Sequence, residues 1–330
     1  MFNRRLGETM KPEPVVVACA ANATYAIPLV VMLRSAADHL AADRNLEAWV
    51  VDDGLGRPAR QKIAESLPDR ATIHWLSPDR TSFDGLPLWG RMPINTYDKL
   101  MIAERLPSHV RKAIWLDCDM LVLADLAELW DLGLGDAHAL AVTDSLVPSV
   151  SSRFGVSGFG VLGFDPSMPY FNAGVMVIDT VKWRASKISA EAVDYLKRFC
   201  DSVFFWDQEA LNATLAGRWS PLEPRWNWSA NLDRLSRNGM DQHNKKTEPR
   251  IVHFSGNLKP WVVRERMEFD AEYFRVLDQT AFTGWRPERT FTRSVLGWYG
   301  SSRLRRAVYP AEQWGMRLMW RMTRKRSEME

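Results

Sequence analysis

Ala113-Ile-Trp-Leu-Asp117-Cys-Asp119-Met-Leu-Val-Leu123 is the stretch on which the reading of this chain turns. An apolar run climbs to a carboxylate, skips one residue, places a second carboxylate and returns to apolar residues. Successive side chains of an extended backbone point to opposite faces, so one strand through this stretch puts Asp117 and Asp119 on the same side. Two carboxylates side by side in a buried strand repel unless something positive lies between them. A hard divalent cation, Mg²⁺ or Mn²⁺, prefers oxygen ligands and commonly shares them with a phosphate. The competing reading is a strand ending in a turn, where aspartates hydrogen-bond their own backbone.

Working towards the N-terminus, Val15–Ala20 reads as a buried first strand, followed by a polar loop through Asn22, Thr24 and Tyr25. A helix is expected from Ile27 to Leu40, with Pro28 in its first turn. A strand leading through a loop into a helix is the phosphate-binding geometry of doubly wound folds. This loop lacks the glycines of the GxGxxG fingerprint, which argues against a nicotinamide or flavin enzyme. Leu46–Val51 and Ala71–Leu76 read as further strands around a helix over residues 58–67. Such β/α alternation predicts an α/β fold with a mainly parallel sheet flanked by helices. A helix from Tyr97 to Leu106 carries Lys99, which either reaches back to a phosphate or faces solvent.

Towards the C-terminus, Asp125–Leu132 reads as a short helix and Ala139–Val142 as a strand that ends at Asp144. Residues 145–169, rich in Ser, Gly and Pro, read as a long loop of the lid or binding type. Tyr170–Asp179 is an apolar strand entered through Asn172-Ala173-Gly174. There Asn172 can hydrogen-bond sugar hydroxyls and Gly174 can let a ligand approach the backbone, or the pair marks a bulge beside a turn. Asp207 opens another helix and can serve as its cap. Trp219, Trp226 and Trp228 crowd around Asn227, which suits either sugar stacking or core packing. In Ile251-Val-His253-Phe-Ser-Gly256-Asn-Leu-Lys259-Pro-Trp261, His253 can complete a metal sphere begun by Asp117 and Asp119. Gly256 and Lys259 there can hold a diphosphate.

At 330 residues, 46% hydrophobic and 25% charged, the composition is that of a soluble globular protein. Three cysteines are too few and too scattered for a disulfide framework or a zinc site. No signal-peptide core and no membrane-length apolar run stand out, so the expectation is a protein kept in the cytoplasm. The net charge of +3 conceals a basic end: residues 285–326 carry eleven Lys and Arg against Glu288 and Glu312. Trp298, Tyr299, Trp314, Met316 and Trp320 interleave with these cations on an expected helix. That pattern suits the inner face of an anionic plasma membrane better than nucleic acid, for which no motif is present. A disordered segment 1–13, a catalytic domain 14–284 and a basic aromatic tail 285–330 are expected.

The order of the pieces carries a resemblance. Leu116-Asp117-Cys-Asp119, Phe171-Asn172-Ala-Gly174-Val, Asp207-Gln208 and His253-Phe-Ser-Gly256-Asn-Leu-Lys259-Pro-Trp261 together resemble glycosyltransferase family 8 from about Val15 to Trp261. These are retaining sugar-nucleotide transferases that include bacterial lipopolysaccharide galactosyl- and glucosyltransferases and glycogenin. The resemblance implies a GT-A fold, a UDP-sugar donor, and Mn²⁺ (or Mg²⁺) on Asp117, Asp119 and His253. It also implies donor contacts from Asn22, Thr24, Tyr25 on the uracil with Lys99 nearby, Asp117, Asn172, Ala173, Gly256 and Lys259. Gln208 would lie near the anomeric carbon. Asn22 and Thr24 depart from the aspartate and asparagine that related enzymes carry in the first loop.

The implied reaction moves a glucose or galactose to a saccharide or glycolipid acceptor in cell-surface glycan synthesis. Because Gln208 is a poor nucleophile, same-face substitution is expected, with Asp207 and Asp144 the carboxylates on which a covalent adduct would otherwise form. Two other classes compete. A sugar-1-phosphate nucleotidyltransferase would show a glycine-rich stretch after the first strand, which Ala20–Tyr25 lacks. A non-catalytic carbohydrate-binding protein would have no use for Asp117, Asp119 and His253 together.

Overall fold

The first strand, β1 (Val15–Asn22), lies inside the sheet, and its residues from Val15 to Cys19 are buried by parallel neighbours on both sides. The computed structural model describes residues 12–88, 92–230, 248–256, 259–263, 269–288 and Gly315. In chain order β1 is followed by α1 (Ala26–His39), β2 (Leu46–Asp53), α2 (Arg57–Glu65) and β3 (Ala71–Leu76). Next come α3 (Ile102–Arg105), β4 (Lys112–Leu116), β5 (Met120–Val122), α4 (Leu126–Trp130), β6 (Ala139–Thr143) and β7 (Phe171–Asp179). The remainder is α5 (Thr180–Ala185), α6 (Ile188–Arg198), α7 (Trp206–Thr214), β8 (Trp219–Pro221), β9 (Trp228–Ser229), β10 (Ile251–His253) and α8 (Asp270–Leu277).

A seven-stranded sheet has the order β3-β2-β1-β4-β7-β6-β8, and a small sheet has the order β5-β10-β9. Strands β3, β2, β1 and β4 run parallel, as the β/α alternation predicts, whereas β7 is antiparallel to both β4 and β6. This reversal matters for the site. It brings the entrance of β7, with Asn172 and Gly174, to the edge where β1 and β4 end.

The main departure concerns the opening stretch. It is not one strand: β4 stops at Leu116, residues 117–119 bend, and β5 leaves the large sheet for the small one. Asp117 and Asp119 therefore do not share a strand face; they sit on the corner between two sheets. Ser35 of α1 fixes the outgoing side, since its buried hydroxyl accepts from Val122 N at 3.0 Å and donates to Met32 O at 3.0 Å.

Other elements differ by less. The helix expected from Tyr97 begins as a 3-10 segment, Ile94–Met101, and becomes α3 only at Ile102. Asp207 is not a cap, because α7 starts at Trp206 with Phe205 at its N-cap. Trp226 and Trp228 are buried, so core packing rather than an open sugar platform accounts for them. The long loop lacks helices but is anchored. Glu209 of α7 accepts from Ser157 N (2.8 Å), Tyr195 Oη (2.9 Å), Phe204 N (2.6 Å) and Phe205 N (3.2 Å). Residues 1–11 and all of 289–330 except Gly315 lie outside the described residues, and with them most of the expected tail. Among the described residues no helix is long and apolar enough to cross a membrane.

Candidate active site

The corner between the sheets is held from two sides. Asp117 N donates to Gly174 O of β7 at 2.9 Å, and Phe254 N, just past β10, donates to Asp119 O at 2.9 Å. Antiparallel pairing of Met120 with His253 then places the imidazole beside Asp119. Ligand atoms of Asp117, Asp119 and His253 all lie within 4.8 Å of one another, as the metal reading requires. His253 Nε2 is 3.4 Å from Asp119 Oδ1. Cys118 turns away: its thiol donates to Ala20 O at 3.2 Å. Its hydrogen bond with Cys19 and its burial push the thiol pKa well up, so no thiolate joins the set. Two carboxylates and one imidazole form a donor set that suits Mn²⁺ or Mg²⁺.

Two buried lysines neutralise the two aspartates separately. Lys259 pairs with Asp119 Oδ2 and donates to Phe254 O at 3.1 Å. Burial alone would raise the Asp119 pKa, but Lys259 and His253 outweigh it and hold the carboxyl below the usual range. On Asp117 burial wins, so its pKa is raised even though Lys99 lies 3.1 Å away. Trp115 Nε1 also donates to Asp117 Oδ1 at 2.8 Å. Lys99 is buried, not on an exposed helix face, and it donates to Asp207 Oδ2 at 2.8 Å as well. Its burial lowers its pKa less than Asp117 and Asp207 raise it. The resemblance implies Lys99 near Tyr25, but the cation over the Tyr25 ring is Lys259, 5.9 Å from its centroid. Lys99 instead faces Trp115 at 5.5 Å.

The entrance of β7 forms the other wall. Asp144 Oδ1 accepts from Leu146 N (2.8 Å) and Val147 N (3.0 Å), while its Oδ2 accepts from Asn172 Nδ2 (3.0 Å) and Gln208 Nε2 (3.1 Å). Gln208 Oε1 in turn accepts from Ala173 N at 3.1 Å. Gln208, Asp144, Asn172 and Ala173 therefore form one hydrogen-bonded wall. Gly174 answers to the protein before any ligand. A Cβ there would meet the His253 ring, and the β6–β7 register shifts beside it between Ala141 and Val142.

The first loop ends β1 at the same sheet edge. Asn22 Oδ1 accepts from Thr24 N at 3.0 Å and from Thr24 Oγ1 at 2.7 Å, so these two residues cap their own turn. Tyr25 packs edge-on against Trp261, with ring centroids 6.1 Å apart, and burial raises its phenol pKa. Gly256 holds a φ of 83°, a conformation that favours glycine. Sequence reasoning passed over Asn227 as a site residue. Its side chain bridges Asn172, by donating from Nδ2 to Oδ1 at 2.9 Å, and His253 Nδ1 at 2.9 Å. The available signal was one polar residue between two tryptophans.

With this geometry in view, comparison with known proteins is specific. The sequence model of Glycosyl transferase family 8 matches residues 16–264, which include every residue placed above. The chain belongs to glycosyltransferase family 8. Similar proteins include General stress protein A of Bacillus subtilis, 28% identical over 275 residues, 80% of this chain and 93% of that protein. Lipopolysaccharide 1,2-glucosyltransferase of Escherichia coli is 27% identical over 266 residues, 78% of this chain and 75% of that protein. The solved structure of galactosyltransferase LgtC with donor and acceptor sugar analogues superposes with a TM-score of 0.69 at 24% identity. It covers 83% of this chain and 98% of that one, and the likeness identifies the fold as GT-A. The family 8 chain is thus a glycosyltransferase, and its chemistry is sugar transfer. The nucleotidyltransferase and non-catalytic readings give way to it.

Proposed function

We propose that this family 8 enzyme is a metal-dependent, retaining hexosyltransferase. It takes glucose or galactose from a UDP-sugar and passes it to a saccharide or glycolipid acceptor in cell-surface glycan synthesis. The observation that carries the proposal is the convergence of Asp117, Asp119 and His253 beside the buried Lys259. The similarity to a lipopolysaccharide glucosyltransferase supports the substrate class.

In this reading Asp117, Asp119 and His253 would hold Mn²⁺ or Mg²⁺, and the bound ion would supply positive charge for the leaving diphosphate. Lys259 turns from Asp119 to the diphosphate and adds a second positive charge there. Gly256 lets the backbone approach the same group, while Tyr25 stacks on the uracil near Asn22 and Thr24. Lys99, shared between Asp117 and Asp207, keeps both carboxylates in place. Gln208, Asn172 and Ala173 face the transferred hexose.

Same-face substitution is the stereochemical course that fits the wall. The Gln208 amide is engaged at both ends, Asp144 receives four N–H donors, and Asp207 is tied to Thr96 and Lys99. Carboxylates so occupied are weak nucleophiles, and the departing phosphate is left to help deprotonate the acceptor hydroxyl. A glycosyl adduct trapped on Asp207 or Asp144 would overturn this course. The basic tail, residues 285–330, is assigned to an anionic membrane surface that presents a lipid-linked acceptor.

The deciding experiment is UDP release from a panel of UDP-sugars with Mn²⁺, with Mg²⁺ and with EDTA. Slow hydrolysis of one donor, abolished by EDTA and by Asp119→Ala, supports the proposal and names the sugar. Release from none, with calorimetry showing no UDP binding in Mn²⁺, rejects it.

A further inference from the structure

Among the described residues a continuous chain of hydrogen bonds joins the sugar-facing wall to the metal-facing histidine. Asp144 Oδ2 accepts from Asn172 Nδ2 at 3.0 Å, and Asn172 Oδ1 accepts from Asn227 Nδ2 at 2.9 Å. Asn227 Oδ1 lies 2.9 Å from His253 Nδ1, and His253 Nε2 lies 3.4 Å from Asp119 Oδ1. Asn227 and His253 are both buried, so neither can exchange these partners freely for bulk water.

The direction of every bond in this chain follows from groups that have only one role. Gly174 N is a donor, and it lies 3.0 Å from Asn172 Oδ1, so that atom is the amide oxygen. A flipped Asn172 would set its NH₂ against the Gly174 N–H and its oxygen against the Asp144 carboxylate. Both contacts fix the same orientation. The amide oxygen of Asn172 requires a donor from Asn227, which is its nitrogen. That leaves the Asn227 oxygen towards His253, and an oxygen there requires Nδ1 to carry the proton. Nε2 is then the ring nitrogen that faces Asp119.

We propose that Asn227 is a positioning residue that holds the His253 ring through its Nδ1–H, so that Nε2 is the nitrogen turned to Asp119 and the proposed metal position, with Asn172 and Asp144 holding Asn227 in turn. Which ring nitrogen is free to bind a metal is set by the bond the other one makes. The inference deepens the metal reading above and rests on it for its use. The same Asp144 oxygen also receives Gln208 Nε2, so one carboxylate orients both the sugar-facing amide and, through two asparagines, the metal-facing ring.

The test reads the ring before it reads the metal. Nitrogen-15 spectra of the metal-free protein at neutral pH, with His253→Gln to assign the signal, should show His253 Nδ1 protonated. Asn227→Leu should lose that form and weaken Mn²⁺ binding, followed by electron paramagnetic resonance, by about 10- to 100-fold. Asn227→Asp, which still accepts from Nδ1–H but no longer donates to Asn172 Oδ1, should keep Nδ1 protonated and retain more Mn²⁺ affinity than Asn227→Leu. A wild-type signal with Nδ1 unprotonated would overturn the inference without recourse to any variant. So would an Asn227→Leu protein that keeps the Nδ1–H form. A wild-type protein with Nδ1 protonated and no Mn²⁺ affinity would support the positioning role and overturn the metal reading instead.

Discussion

A Cβ built on Gly174 would lie 2.6 Å from His253 Cε1 and 2.9 Å from its Nδ1. The glycine at the entrance of β7 is thus the space in which the imidazole stands. The ring has no slack to yield, because Asn227 holds one nitrogen and Asp119 lies beside the other. Gly174→Ala should therefore displace the ring and cost about 1–3 kcal/mol, the usual range for overpacking. The melting temperature should fall correspondingly, and Mn²⁺ titration should show weakened binding. Wild-type affinity in a folded Gly174→Ala protein would mean that packing does not place the ligand.

Lys99 is buried between Asp117 and Asp207, 3.1 Å from one carboxylate and 2.8 Å from the other. Removing one partner of a buried ion pair typically costs about 3–5 kcal/mol, because a charge is left without compensation. Lys99→Met should be destabilised by about that much in urea melts. Adding Asp207→Asn should recover part of the loss, since one of the two stranded anions is gone. Strict additivity of the two substitutions would show that the groups are not coupled.

The parts of this architecture that repeat locally were legible in the sequence, and the parts that depend on long-range pairing were not. Val15–Ala20 and Ala71–Leu76 announce themselves by β-branched and apolar runs, and the α/β class follows from their alternation with helices. The corner at Asp117–Asp119 does not, because an apolar run on each side reads the same whether the strand continues or changes sheet. Only the pairing of Met120 with His253, far apart in the chain, separates β5 from β4. Burial of Lys99 was invisible for the same reason, since its partners Asp117 and Asp207 come from other elements. Asn227 shows the limit most clearly. Nothing local separates an asparagine that caps a turn from one that fixes a histidine on a neighbouring strand.

Lys259 pairs with Asp119, one of the proposed metal ligands. A divalent ion bound through Asp119 would compete with Lys259 for the negative charge of that carboxylate. In Lys259→Met that competition is absent and the metal-free protein keeps an uncompensated Asp119. The variant should melt lower than wild type without metal, and saturating Mn²⁺ should raise its Tm by more. Donor hydrolysis should nevertheless fall, by roughly 10²-fold, because the diphosphate loses a positive neighbour. Tighter metal binding together with slower turnover is the signature. A parallel loss of both would point to simple disruption of the site.

Where the body ends and the basic tail begins can be located through Asp278. Arg286 donates to both of its carboxylate oxygens, at 2.9 and 2.6 Å, and Gly284 N donates at 3.0 Å. Arg286, and after it Gly284, hold the Asp278 pKa down to about 2. A carboxyl depressed in the folded state adds stability above its unfolded value, and that stability is lost as the pH falls through the folded value. A chain truncated after Glu288 should keep its Tm and its donor hydrolysis while losing its hold on anionic vesicles. A chain truncated after Gly284 also loses Arg286, and should melt lower than the longer one at pH 5–7. The gap between the two should narrow below pH ~4 and close near pH 2. It should also shrink in high salt, because the pair is exposed. Equal melting temperatures at pH 7 would place the end of the folded body before Arg286, and unchanged vesicle binding after either truncation would remove the tail from the membrane proposal.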